Sequence, residues 1–319
     1  MRWPLSYSLT LHAEYAMRTT TRAILALVTL SGTASAQRLV GQKETVFNIS
    51  ERVVSGGAVR IFSRAGDITI TEGSGSTVEF RGEKDVRRGK LEDIGFRVLR
   101  DGDGVTICAV FSEDDECDVD GVHGERRSGW SSNWRERAKV SITVKVPRGA
   151  KLRTSTGNGD VSVNAMLAEA RVGSGNGKVR VSGISGRVDA SSGNGEVTVE
   201  NTGGPVRASS GNGDVYVKAT NGPVNASSGN GDVHASMDKL SGDDDMEFSS
   251  GNGRIELTVP SDFSARVEAS TGNGKVVTDF PITIQGRLSP SKLRGTIGSG
   301  GRRLRMTTGN GSREIRKRV

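Results

Sequence analysis

The sequence predicts an all-β protein, a parallel β-solenoid. It reads as a β-helix-like stack of two-strand coils, each about 18 residues long, behind a more irregular N-terminal β part. Three observations carry this. The tripeptide Gly-Asn-Gly occurs eight times, starting at Gly157, Gly175, Gly193, Gly211, Gly229, Gly251, Gly272 and Gly309. The first four intervals are 18 residues and the rest are 22, 21 and 37. Apolar residues alternate with polar ones on both sides of every tripeptide, the mark of strands with one buried face. Finally, the chain holds 44 glycines with only 4% aromatic residues, so its core rests on small branched side chains.

The repeat fixes the elements in order. Five residues before each tripeptide stand Leu152, Ala170, Val188, Val206, Val224, Met246, Val267 and Leu304. Four after it stand Val161, Val179, Val197, Val215, Val233, Ile255 and Val276, and these rows should face inward. One such unit cannot bury its apolar face alone, but stacked copies can, with equivalent strands pairing in parallel at about 4.8 Å per coil. The tight corner calls for φ > 0, which glycine accepts best and asparagine next. Asn158, Asn176, Asn194, Asn212, Asn230, Asn252, Asn273 and Asn310 should then form an amide ladder, flanked by rows of Ser/Thr hydroxyls. Looser corners such as "TNGP" (220–223) hold proline away from the ladders.

Three regions are expected: residues 1–36, 37–150 and 151–319. In the first, Arg18 and Arg22 precede an apolar run from Ala23 to Leu30, and Ala34-Ser35-Ala36 offers a cleavage site; this reads as a signal peptide, with Met17 as a plausible native start. No later segment has the length or hydropathy of a transmembrane span. In the second, "AVRIFSRAGDITI" (58–70) fits the coil template, and strands are expected at 76–82, 104–111 and 138–147. Residues 83–100 break the pattern and suggest a short helix or long connection; 118–137 read as an exposed loop. The third is the regular solenoid, continuous with the second. Its basic C-terminus, "REIRKRV" (313–319), is expected as a solvated cap over the last coil.

Cys108 and Cys117 fit a disulfide in an oxidising compartment. No metal or cofactor is expected. The residue after each tripeptide runs Asp160, Lys178, Glu196, Asp214, Asp232, Arg254, Lys275 and Ser312; a cation in that row repels calcium, and Asp214 beside Asp232 is the one pair suited to a weak ion. Beyond residue 36 the balance is 41 Lys and Arg against 36 Asp and Glu, a mild charge of +5 that gives no nucleic-acid signature. Trp130 and Trp134, among the arginines of the loop, are candidate ligand contacts. His234 stands on an outward row and no catalytic constellation is evident, so an enzyme is not expected.

"VPRGAKLRTSTGNGDVSV" (146–163), "VPSDFSARVEASTGNGKVVTDFPI" (259–282) and "GSGGRRLRMTTGNG" (298–311) resemble the bacterial putative-adhesin β-strand repeat domain, across roughly 40–317. The resemblance implies an exported, non-catalytic protein of the periplasm, outer surface or medium. It would contact envelope glycans, anionic surface polymers or another envelope protein. A periplasmic scaffold or stress-sensing docking module is the alternative, and a polysaccharide-active β-helix enzyme a further one.

Overall fold

A computed structural model describes residues 39–124, 138–284 and 289–318. Two sheets, of 14 and 12 strands, face each other and enclose one apolar layer. Each Gly-Asn-Gly closes a coil: Lys151–Asn158 lies in the first sheet and Val161–Asn164 in the second, and the pattern repeats with Glu169–Asn176 and Val179–Ser182. Equivalent strands pair in parallel and in register, Leu152 against Ala170 and Val161 against Val179. The inward rows read from the sequence are buried except Val276, which is half-buried, and Val188, Val197, Val215, Val224 and Val233 are fully so. Burying each such valine contributes about 1.5 kcal/mol. Repetition of that term stabilises a core with few large side chains.

Ten coils stack, but not in chain order. In the first sheet Gly104–Val110 lies outside Ala58–Ala65, which itself abuts Lys151–Asn158. At the other end Arg303–Asn310 lies between Met246–Asn252 and Ala265–Asn273. The second sheet repeats both inversions: Ala138–Pro147 lies outside Ile68–Gly73, and Arg313–Lys317 lies between Ile255–Val259 and Val276–Thr278. The basic C-terminus is therefore not a cap. Its strand is hydrogen-bonded on both sides.

Antiparallel strands cover the two ends instead. Gly95–Asp101 and Leu39–Val40 extend the first sheet, and Thr77–Val86 and Val46–Arg52 the second. Lys292–Ile297 and Ile282–Ile284 cover the far end of the first sheet. The irregular stretch 83–100 resolves into the end of one strand, a 3-10 turn at Leu91–Asp93 and the strand Gly95–Asp101. Phe47, Phe80 and Phe96 pack together here, with ring centroids 4.8 Å apart for Phe47–Phe96. Buried Lys84 ties this end together, its Nζ donating to the carbonyls of Gly41 and Ile94 at 2.6 Å and of Gln42 at 3.0 Å. Burial lowers its pKa.

Candidate interaction face

The Gly-Asn-Gly edge is an internally satisfied spine. Asn176 Nδ2 donates to Asn158 Oδ1 at 2.8 Å, and the row continues through Asn194, Asn212, Asn230, Asn252, Asn310 and Asn273. The asparagines do not take the left-handed backbone. In seven of the eight tripeptides that falls to the glycine after them, with φ of 143° at Gly213. A Cβ on Gly213 would stand 2.5 Å from the carbonyl oxygen of Gly195, so the closeness of the stack selects glycine as well.

The hydroxyls divide by face. The Ser/Thr just before the tripeptide is buried and donates to the neighbouring coil's second glycine carbonyl, as Ser192 does to Gly177 and Ser210 to Gly195, both at 2.8 Å. The hydroxyl before that one points outward. A third row follows the corner: Asp160 Oδ1 accepts from Lys178 N at 2.7 Å, Asp214 from Asp232 N at 2.8 Å and Asp232 from Arg254 N at 2.7 Å. Asp214 and Asp232 thus act as caps for backbone N–H groups. Among the described residues no group of three or more His, Cys, Asp or Glu is arranged to hold a metal.

One coil breaks this edge. Between Gly104–Val110 and Ala138–Pro147, where other coils carry a three-residue corner, the chain makes an excursion. Its first part, 111–124, folds back over the outer side of the first sheet. There Cys108 and Cys117 are disulfide-bonded and, with Phe62 and Val110, form a second small apolar cluster outside the main core. Arg64 pairs with Asp115 at 2.8 Å, and Arg153 pairs with Asp120 at 2.6 Å while its guanidinium lies 5.9 Å from the Phe62 ring centre. Burial alone would raise the Asp118 carboxyl. Hydrogen bonds from Asp120 N, Gly121 N and the His123 ring outweigh it and hold the pKa below the ordinary value. Trp130 and Trp134 lie outside the described residues.

The second sheet's outer side carries a cluster that the sequence reading did not assemble. Tyr216 and His234 stack with centroids 5.1 Å apart, and Tyr216 Oη donates to Asp214 Oδ2 at 3.2 Å. Burial first, and then the Asp214 charge, raises the Tyr216 pKa. Glu256 lies 3.5 Å from His234 Nδ1, and Lys218 Nζ is 5.5 Å from the Tyr216 ring centre. The signal was available, since Tyr216, His234 and Glu256 share one offset from successive tripeptides. The cluster stands on the outer face of the second sheet. The looser corners form a groove of about 390 Å³, lined by Met166, Ile184, Asn201, Thr202, Ala219 and Asp238 among others. Asn201 and Ala219 are the non-glycine residues with positive φ among those described, 53° and 50°.

Stacked coils of this kind, with an amide spine, two outer sheet faces and a pinned excursion, define a β-solenoid. The model of the Toastrack DUF4097 family matches residues 113–316, and the chain belongs to that family. No curated protein matches the chain. A "putative adhesin" from Bacteroides fragilis is similar at 12% identity and a TM-score of 0.41, over 87% of this chain and 99% of that one. A "putative cell adhesion protein" from Clostridium sporogenes is similar at 10% identity and a TM-score of 0.30, over 86% and 100%. A "putative lipid binding protein" from Parabacteroides distasonis is similar at 9% identity and a TM-score of 0.41, over 87% and 98%. Among the described residues no helix is long and apolar enough to cross a membrane.

Proposed function

We propose that this is an exported, non-catalytic, adhesin-like module of the cell envelope, which binds envelope glycans or anionic surface polymers. The observation that carries the reading is the disulfide-pinned excursion. Among the described corners it is the one place where that edge opens into a longer segment, and its described part, 111–124, is anchored on the outer side of the first sheet by Arg64, Arg153 and the Cys108–Cys117 bridge. A disulfide suits an oxidising compartment, in keeping with the signal-like first 36 residues. Trp130 and Trp134 fall within this insertion and are the proposed contacts, because aromatic faces and guanidinium groups suit sugar rings and anionic polymers.

The test is binding of the full chain to whole cells and to a panel of envelope glycans and anionic polymers. Saturable binding that weakens roughly tenfold in W130A/W134A is expected, the usual scale for truncating aromatic anchors. Background binding across the panel contradicts the adhesin reading. If cross-linking in the native envelope then captures one protein neighbour, the docking-module reading takes its place.

A further inference from the structure

The coil closed by Asn310 occupies a slot that the rest of the chain builds for it. After Ile255–Val259 the chain skips one position and forms the Asn273 coil farther out. The slot is filled last, by Arg303–Asn310 and Arg313–Lys317. Both of its walls precede its occupant in the chain. Met246 and Val267 both face Leu304, while Asn252 and Asn273 both face Asn310. Asn310 Nδ2 donates to Asn252 Oδ1 at 2.7 Å and Asn273 Nδ2 to Asn310 Oδ1 at 2.8 Å. Thr308 Oγ1 donates to the Gly253 carbonyl at 3.1 Å.

The occupant carries a fault. Arg313 takes the inward position that other Gly-Asn-Gly coils give to valine or isoleucine, directly between Ile255 and Val276. It is fully buried. Its Nη2 donates to Thr308 O at 3.3 Å, but Nε and Nη1 have no partner among the described residues. Burial pulls its pKa down to about 10. A buried cation without a counter-charge favours any state that returns it to water. The segment leading into the coil is a glycine turn: Gly298, Gly300 and Gly301 have φ of 59°, 82° and 95°, and it is held by Gly300 N donating to the Ile297 carbonyl at 3.2 Å and Arg266 Nε to the Gly301 carbonyl at 3.1 Å, so a swing outward breaks few bonds there.

We propose that this slot is an interface between copies of the chain. Residues 303–317 of one copy swing out on the 298–301 hinge and fill the slot of a second copy, which returns its own coil, giving a two-fold swapped dimer. The partner is a second copy because the slot recognises a specific coil: Thr before the corner, Asn at it, and the 303–317 register on both walls. An exchanged coil makes the same bonds and reburies the same arginine. Arg313 therefore sets how readily the coil leaves.

Ser249 and Thr307 face each other on the outer side of adjacent strands, and both are half-buried. In the full-length S249C/T307C chain, oxidation joins one molecule internally when the coil is closed on itself and joins two molecules when it is exchanged. The native Cys108–Cys117 bridge is left intact throughout. After incubation across a range of concentrations, the expected non-reducing pattern is a covalent dimer that grows with concentration. With R313V added, its rate of appearance should fall by at least about tenfold. Three outcomes overturn the proposal: cross-links confined within one chain at every concentration, dimers by light scattering without intermolecular cross-links, or unchanged exchange in R313V. Because R313V replaces a buried charge with the residue that neighbouring coils use, it is expected to fold.

Discussion

Gly213 is under two constraints, a left-handed backbone and the Gly195 carbonyl 2.5 Å from any added Cβ. Gly213→Val is expected to lower stability by roughly 2–4 kcal/mol, read as a lower melting temperature. Asn212 both donates to and accepts from its neighbours in the ladder. Asn212→Ala should lower stability by about 1–2 kcal/mol in denaturant unfolding. Arg313→Val should do the reverse, raising stability by about 1–4 kcal/mol in the same measurement. The glycines were legible in the sequence because a corner needing φ > 0 recurs at a fixed interval. The asparagines were legible as a ladder but not in conformation, since their side chains reach across coils while the following glycine makes the turn. Arg313 was visible as a break in the valine row. Its burial was not, because a basic chain end ordinarily lies in water.

At the scale of the element, the excursion after Val110 is held by three kinds of contact: the bridge, the ion pairs with Arg64 and Arg153, and the Asp118 turn. The bridge closes a nine-residue separation, worth about 2.5 kcal/mol in the chain-entropy account. Reducing it should expose 111–124 to protease and leave the melting of the regular coils nearly unchanged. The Asp118 carboxyl is held below its ordinary value of 3.8, so its contribution is present above that pH and fades as pH falls through the lowered value. The protection of the Asp120 and Gly121 amides, with exchange rates corrected for their intrinsic pH dependence, should accordingly fall as pH drops through that lowered value, and Asp118→Asn should remove most of that change. Protection that stays constant as pH falls below that value contradicts the turn. The two strands of this coil were each legible by alternation. Their pairing as one coil was not, because 27 residues stand where three would, hiding the shared corner.

Over the whole molecule, the coil, its two sheets, its inward rows and its polar corners follow from period and alternation. The order of stacking does not. Each Gly-Asn-Gly coil offers its neighbours nearly the same surface, Val over Val and Asn over Asn, so local residues cannot say which slot such a coil takes. The 37-residue interval before Gly309 hints at an irregularity, and the inversion at the N-terminal end has no comparable sign. The account rests on coils in one aligned stack with the Asn310 coil between those of Asn252 and Asn273. Disulfide formation between outward positions reads that order directly, at a protein concentration low enough to keep each molecule alone. The expected result is ready closure in S191C/S209C and S249C/T307C and none in S249C/S270C, where a whole coil intervenes. Closure of S249C/S270C with S249C/T307C remaining open would contradict it.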